Sequence, residues 1–429
     1  MSAAAAMAEP ASVKGWCPGA LRPMQTGDGL IVRVRPRCGA LSIAQVAALC
    51  DVARRYGNGH IDLTRRANLQ IRGISQRALP DVWAALSNAG LMDVHVDGEA
   101  VRNVMVSPLA EIDPTEAVDV RPIAAALERA LLETPQLWSL PGKFGFVVDG
   151  GGVLPLDGER ADIRLKAVVV RERADIALGI DTSGGVQWVR MFDPDAACEA
   201  AVRMALAFVA LPKPPRARMR DLDADARAAL CRAIGDDGAQ IDHVSTSRCA
   251  PDRVGLISAA GSGIAVGIGA PFGRLMADAL SGAVDVAAKL AITEFRLSPW
   301  RVLYAALPDQ SAAATLIDAA RDCGLVTAPM DPVLAIDACQ GAPACRSACA
   351  DTRAAAQRIA ALLPLPGVSS VHVSGCAKGC ARSEPADLVL VAGSRGFGIV
   401  RSGTAETTPS AYLAPADVND LPAILRSGA

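Results

Sequence analysis

Apolar and charged residues alternate in "GLIVRVRP" (Gly29–Pro36), the period of a strand with one buried face. The period then changes. In "SIAQVAALCDVARRYG" (Ser42–Gly57) apolar residues follow helical spacing and stop at a glycine, which predicts an amphipathic helix ending at Gly57. The same order of strand, Gly turn, Ala-rich helix and second strand returns later. A constant shift of 234 lays Gly27–Gly73 over Gly261–Leu307 without a gap. It matches Gly27, Gly29, Val32, Gly39, Leu41, Asp51 and Leu63 to Gly261, Gly263, Val266, Gly273, Leu275, Asp285 and Leu297. Each copy opens on G-x-G. Neither runs into a full G-x-G-x-x-G at a helix start, so these glycines mark turns before strands rather than a dinucleotide loop.

The later parts correspond more loosely. "SLPGKFGF" (Ser139–Phe146) is set against "SGCAKGCA" (Ser374–Ala381), with Lys143 opposite Lys378, and "ADIRL" (Ala161–Leu165) against "ADLVL" (Ala386–Leu390). The chain therefore reads as two copies of one α+β unit, bridged by "LPKPPRARMRDLDADARAAL" from Leu211. The expected organisation is an extension at 1–25, a half-domain at 26–88, a module at 89–210, a linker at 211–255, a second half-domain at 256–325 and a second module at 326–429. A duplicated protein of this kind is expected to hold its ligand in the cleft between halves.

Bulk numbers narrow the classes. The 429 residues suffice for two or three domains. Apolar content is 51% but aromatics only 3%, so the core is expected to be aliphatic. A net charge of -2 gives no reason for nucleic acid or an anionic membrane as partner. "MSAAAAMAEP" has neither a basic start nor a long apolar run, and no later stretch is long enough to span a bilayer. A soluble cytoplasmic protein is the expectation, and its twelve cysteines are then not a disulfide framework. Cys50, Cys198 and Cys231, on Ala/Leu helical backgrounds, read as small buried hydrophobes.

The cysteines of "DACQGAPACRSAC" (Asp337–Cys349) read differently. Cys339-x5-Cys345 follows an apolar strand, and Cys376-x3-Cys380 follows another. Structural zinc favours C-x2-C knuckles, a redox disulfide C-x-x-C, and bacterial ferredoxins C-x2-C-x2-C-x3-C-P. None of these is present. Four thiolates on glycine-rich loops after strands suit an iron–sulfur cluster best, with zinc and chance spacing as the alternatives. Cys349 falls outside both spacings and reads as a packing residue.

The C-x5-C and C-x3-C pairs resemble those of the sulfite and nitrite reductase family, whose members hold a 4Fe-4S cluster by four cysteines. "LTRRANLQIRG" (Leu63–Gly73) is similar to that family's T-x-R-x-x-x-Q segment, "VRNVMVSP" (Val101–Pro108) to its second Arg segment, and "LPGKFG" (Leu140–Gly145) to its Lys loop. The resemblance implies an α+β, pseudo-twofold duplicated fold of ferredoxin-like half-domains and two mixed α/β modules. It implies cluster ligands Cys339, Cys345, Cys376 and Cys380. It also implies a tetrapyrrole polycarboxylate held by Thr64, Arg66, Asn68, Gln70, Arg72, Arg102, Asn103, Lys143 and Arg301, because converging guanidinium forks suit carboxylates. Arg33 and Arg35 are secondary candidates. No catalytic residue is implied.

One departure directs the reading within the family. The sulfite-reducing members carry K-x-K in the Lys loop, whereas this chain has Lys143-Phe144-Gly145. That weakens a pocket for a small oxyanion, and "KGWCPGALRPM" (Lys14–Met24), together with "DLTRRANLQIRG" (Asp62–Gly73) and "ACQGAPACRSAC" (Ala338–Cys349), resembles the precorrin-3B synthases, a branch that uses the tetrapyrrole as substrate. Membership there implies O2-dependent hydroxylation of precorrin-3A at C20 with γ-lactone formation. It further implies a mononuclear non-haem iron and electrons from NADH through a partner reductase. A facial iron triad wants two His and a carboxylate, and the chain offers only His60, His95, His243 and His372. Two alternatives stay open: a sirohaem-dependent sulfite or nitrite reductase, and a non-catalytic cluster- or tetrapyrrole-binding protein.

Overall fold

The computed structural model describes residues 17–212, 218–235, 241, 244 and 252–426. His243 and most of the expected N-terminal extension lie outside the described residues. The chain divides into two compact units. Of the described residues, the larger comprises 17–24 with 31–327, and the smaller 328–426 with Gln25–Leu30.

The first half-domain runs β1 (Met24–Thr26), β2 (Gly29–Val34), β3 (Ala40–Ser42), α1 (Ile43–Tyr56), β4 (His60–Leu63), β5 (Leu69–Ile74) and α2 (Leu79–Asn88). The predicted strand and helix are both present. Ser42 starts α1 through a reciprocal capping box: its side chain accepts the Gln45 N–H at 3.2 Å, and Gln45 accepts the Ser42 N–H at 3.0 Å. Val46, Leu49, Cys50 and Ala53 of α1 are buried. Burial pushes the Cys50 thiol up to about 12, which suits its expected role as a small hydrophobe.

The first module follows with α3 (Val96–Val101), β6 (Val104–Val106), α4 (Arg121–Glu133), β7 (Phe146–Asp149), β8 (Ile163–Val170), β9 (Arg173–Thr182), β10 (Gly185–Phe192), α5 (Pro194–Ala210) and α6 (Ala224–Ala233). Its sheet has the order β10-β9-β8-β7-β6. β6, β7 and β8 are parallel, and β9 and β10 return antiparallel. Leu127, Leu131, Phe146, Val148 and Phe208 form its buried core. The segment expected as a linker is part of this core: Met219, Leu230 and Cys231 pack into it, because α6 turns an apolar face to α5.

The second half-domain consists of β11 (Gly255–Ala259), β12 (Ser262–Gly269), β13 (Arg274–Met276), α7 (Ala277–Lys289), β14 (Glu294–Leu297), β15 (Val302–Ala306) and α8 (Ser311–Asp322). The half-domains exchange strands. β13 pairs with β4, placing Leu275 opposite Ile61, and β3 pairs with β14, placing Leu41 opposite Phe295. The sheets accordingly read β1-β2-β5-β4-β13 and β11-β12-β15-β14-β3. The symmetry extends to single dihedral angles. Cys38 and Phe272 share left-handed backbone (φ 48 and 51), as do Ala67 and Arg301 (φ 50 and 64). Each pair is separated by the same 234 positions.

The smaller unit contains β16 (Ile336–Ala338), α9 (Thr352–Ala360), β17 (Val371–Ser374), β18 (Ala386–Gly393), β19 (Gly396–Gly403), β20 (Ala411–Leu413) and α10 (Leu421–Arg426). Its sheet, β16-β17-β18-β19-β20, has the connectivity of the first module's sheet: three parallel strands, then two antiparallel. This topology corrects one detail of the internal match. Lys143 precedes its strand β7, whereas Lys378 follows its strand β17. The two lysines therefore stand at opposite strand ends. The true counterparts of the cysteine loops are the loops after β6 and β7.

Candidate functional site

In the larger unit, a row of guanidinium groups crosses the first half-domain and first module. Arg33 and Arg35 lie two apart on β2 and so share a face. The Arg33 guanidinium donates to the Gln70 amide oxygen from Nε (3.2 Å) and Nη2 (2.6 Å). Arg35 donates to Glu99 at 2.7 Å and to Asn103 Oδ1 at 3.4 Å. Asn103 passes the chain of contacts on by donating to the Phe144 carbonyl at 3.1 Å. Arg66 reaches the adjoining Lys143 carbonyl from Nη2 at 2.8 Å. Arg33, Arg35, Arg66, Gln70, Asn103 and Lys143 thus form one contiguous group.

The β4–β5 turn places Arg66. Thr64 Oγ1 accepts the Arg66 and Asn68 N–H groups at 3.3 and 3.2 Å, and the Thr64 N–H donates to the Asn68 carbonyl at 2.9 Å. Thr64 and the buried Asn68 therefore shape the loop. Charge is dense here. Burial, then the neighbouring Arg35, pulls the Arg33 guanidinium down to about 10, and burial followed by Arg218 lowers Arg66. Both remain cationic at neutral pH. Arg35 has Glu99 as counter-ion. Among the described residues, neither Arg33 nor Arg66 has a carboxylate ion pair: their hydrogen-bond partners are an amide, a thiol and a carbonyl. Lys143 is exposed above the buried Phe144. A small cavity of about 160 Å3 beside the row is lined by Cys17, Arg22, Arg35, Trp138 and Gly142.

Other predicted residues are engaged in internal contacts. Arg72 is buried, 1% exposed, and faces Asp62 at 3.4 Å. Arg274 from the second half-domain closes on the same carboxylate at 3.0 Å. Arg102 is buried against Asp93 (2.8 Å) and Glu128 (3.4 Å). Burial opposes its charge, but those carboxylates hold its pKa above the ordinary value. Arg301 packs against Gly273, where a Cβ would stand 2.6 Å from Arg301 Cδ. Sequence reasoning missed Cys17 and Arg218 and ranked Arg33 low. The i, i+2 spacing of Arg33 and Arg35 was the available signal, and Arg218 carried none.

In the smaller unit, Cys339 follows β16 and Cys376 and Cys380 follow β17. The Gly375 N–H donates to Cys339 Sγ at 3.2 Å, and Thr352 Oγ1 lies 3.7 Å from that sulfur. The Cys345 N–H closes a turn on the Gly341 carbonyl at 2.7 Å. At Gly375 a Cβ would meet Ala348 Cβ at 2.6 Å and approach Cys339 Sγ to 3.4 Å. Only glycine fits that approach. Cys380 reaches the surface, yet desolvation of its sulfur, then the Cys339, Cys376 and Cys345 thiols, raises its pKa, against Lys378. The four sulfurs therefore share one electrostatic neighbourhood, while Cys349 is exposed.

This donor set fits a 4Fe-4S cluster: four soft thiolates, glycine-lined loops and an amide already directed at a ligand sulfur. Among the described residues, no three His, Cys, Asp or Glu side chains close on the volume of a single metal ion. A four-iron cube is larger and keeps its cysteines further apart, so that observation bears on a mononuclear centre. His95 lies against Trp138 (centroids 5.4 Å apart), and His372 is buried within β17. The described residues do not form the His/carboxylate triad of a mononuclear iron.

The counterpart loops in the first module carry oxygen donors. Ser107 donates to Asp149 Oδ1 at 3.0 Å, and Asp113 accepts the Val153 N–H at 2.6 Å. Glu116 lies over Gly150, where a Cβ would stand 2.3 Å from its carboxyl carbon, and its buried Oε2 has no hydrogen-bond partner among the described residues. Burial, then Asp113 and Asp149, pushes the Glu116 carboxyl up to about 8.

Residues 22–89 match the nitrite/sulfite reductase ferredoxin-like half domain, and residues 97–291 match the nitrite and sulphite reductase 4Fe-4S domain. A solved structure of the Mycobacterium tuberculosis NirA protein superposes with a TM-score of 0.73 at 20% identity, covering 92% of this chain and 79% of that one. The chain belongs to the nitrite and sulfite reductase family. It is 36% identical to a precorrin-3B synthase of Sinorhizobium sp. over 93% of its own length and 85% of that protein's. A sulfite reductase (ferredoxin) 1 of Mycolicibacterium paratuberculosis is 24% identical over 83% of this chain and 69% of the relative. The domain match at 97–291 ends before the four cysteines. The alignment with the precorrin-3B synthase leaves too few residues at the ends to exclude them.

Proposed function

We propose that the chain is an oxygen-dependent tetrapyrrole hydroxylase of the precorrin-3B synthase type. It would act on precorrin-3A at C20, with closure of a γ-lactone from the ring A acetate. The observation that carries this reading is the pair Arg33 and Arg66, two partly buried guanidiniums with no carboxylate ion pair among the described residues. Their charge calls for an external anion. The carboxylates of a tetrapyrrole meet that demand, and the 36% identity to a named precorrin-3B synthase points to the same substrate.

In this reading Arg33 and Arg66 bind substrate carboxylates, Gln70 orients Arg33, and Asn103 orients Arg35. The exposed Lys143 supplies a further cation. Cys339, Cys345, Cys376 and Cys380 would hold a 4Fe-4S cluster, which supplies one-electron transfer when bound. Gly375 would hydrogen-bond the Cys339 sulfur and so stabilise its charge. Electrons would come from NADH through a separate reductase. The described residues do not form a site for a mononuclear iron, and no step is assigned to one.

The reductase alternative meets the single Lys143. That alternative expects a second lysine in this loop, and Phe144 and Gly145 supply none. An absorption spectrum of anaerobically purified protein separates the readings. Broad iron–sulfur absorption is expected, and intense sirohaem bands would exclude the hydroxylase.

A further inference from the structure

The loop that carries Lys143 is held from below by a residue outside the segments likened to the family's Thr/Arg/Gln, second Arg and Lys-loop motifs. Asp162 is fully buried, 0% exposed. Its Oδ2 accepts the Gly145 N–H at 2.9 Å, and its own N–H donates to the Gly145 carbonyl at 2.7 Å. Two opposed bonds therefore clasp the residue two places after Lys143. The same carboxylate takes Arg218 Nε at 2.9 and 3.0 Å, Arg218 Nη2 at 2.6 Å and the Met219 N–H at 3.0 Å. Arg218 lies within the bridging segment, just before the short turn that leads into α6. Phe144 secures the loop between Phe146 and Phe208, with ring centroids 5.4 and 5.0 Å away. From the other side, Arg66 grips the Lys143 carbonyl at 2.8 Å.

The electrostatics follow from this geometry. Arg218 repels Arg66, and the Asp162 carboxylate attracts it. An anion with this many donors is fixed in position, so it sets both the height of the Lys143 loop and the charge felt by Arg66.

We infer that Asp162, neutralised by Arg218, is a positioning residue for the anion site: it holds the Lys143 loop in register with the Arg66 guanidinium and so governs affinity for a polycarboxylate tetrapyrrole. This rests on the reading of Arg33 and Arg66 as a carboxylate site. It adds a residue and a mechanism to that reading.

The test uses full-length, cluster-loaded protein and uroporphyrin III as the probe, followed by absorbance titration. D162N should weaken binding about tenfold, the order expected for loss of a charge-assisted hydrogen bond. Exchange of the Gly145 amide should quicken in the same variant. D162N takes the counter-charge from the partly buried Arg218 and so costs stability as well; the double variant D162N/R218Q, which removes both charges, is therefore measured alongside. The double variant should melt near the parent temperature and still bind about tenfold more weakly. Recovery of parent affinity in the double variant would show that Asp162 serves only to neutralise Arg218, and the inference would fall. If the parent protein does not bind uroporphyrin III, while its fold and cluster are intact, the carboxylate-site reading fails first and takes the inference with it.

Discussion

The Gly375 amide donates to the sulfur of Cys339 at 3.2 Å, across 36 residues of chain. It joins the loop after β16 to the loop after β17, and so brings the two cysteine pairs into one site. Cys380→Ser should therefore leave the protein unable to hold a full cluster. Iron analysis should fall from about four atoms per chain to well below that. Cys349→Ser should keep the full complement, because Cys349 lies outside the spacing of the four ligands. A four-iron cluster surviving in Cys380→Ser would overturn the ligand set.

Gly375→Ala tests the approach itself. Its new methyl would collide with Ala348 Cβ at 2.6 Å. The expected outcome is a cluster that is lost faster on exposure to air, with the iron content of freshly reconstituted protein little changed.

Arg66 and Arg72 lie in one short motif yet predict opposite phenotypes. Arg66→Ala and Arg33→Ala should each weaken tetrapyrrole binding by roughly 10- to 100-fold, about 1.5–3 kcal/mol for a charged hydrogen bond, with little change in melting temperature. Arg72→Ala should instead destabilise the fold by about 3 kcal/mol, the scale for breaking a buried ion pair. Arg274 remains to cover part of the Asp62 charge. Denaturant titration beside binding isotherms distinguishes the two outcomes.

Glu116 makes stability depend on pH. Its carboxyl is raised from 4.5 to about 8 in the folded protein, by burial first and then by Asp113 and Asp149. The folded state thus binds the proton more tightly than the unfolded chain. The resulting stabilisation is complete below about pH 4.5 and is lost as pH rises through about 8. Glu116→Gln should remove this dependence and be more stable than the parent at pH 8.5, by on the order of 2 kcal/mol once partial solvent access is allowed for. Equal pH profiles for the two proteins would contradict it.

The local elements were legible because their signals are local. Strand β2, the apolar stripe of α1 and its Gly57 stop are present as read, but β2 is buried on both faces, with Ile31 and the adjoining Arg35 enclosed as well as Val32 and Val34. The duplication was visible as a constant shift, but its consequence was not: strand exchange between β3 and β14 is a pairing decision that no local period encodes. The same limit separates Gln70 from Arg72. They alternate on one strand and share a face, yet Arg72 is committed to Asp62 from the neighbouring strand while Gln70 meets Arg33. The cysteine spacing was readable because loop ligands follow strand ends. Asp162 and Arg218 were not readable, because their role exists only where chain segments 56 residues apart meet. Lys143 was matched to Lys378 by a run of small residues that the two loops share at opposite strand ends.

The central claim is hydroxylation of a tetrapyrrole by dioxygen. The most direct measurement incubates the cluster-loaded protein with precorrin-3A, a reductase, NADH and 18O-labelled dioxygen, and weighs the product by mass spectrometry. The account predicts a lactone-bearing product that carries one labelled oxygen atom, formed only when O2 is present. Conversion without label, or no conversion alongside catalytic reduction of sulfite or nitrite, would contradict it.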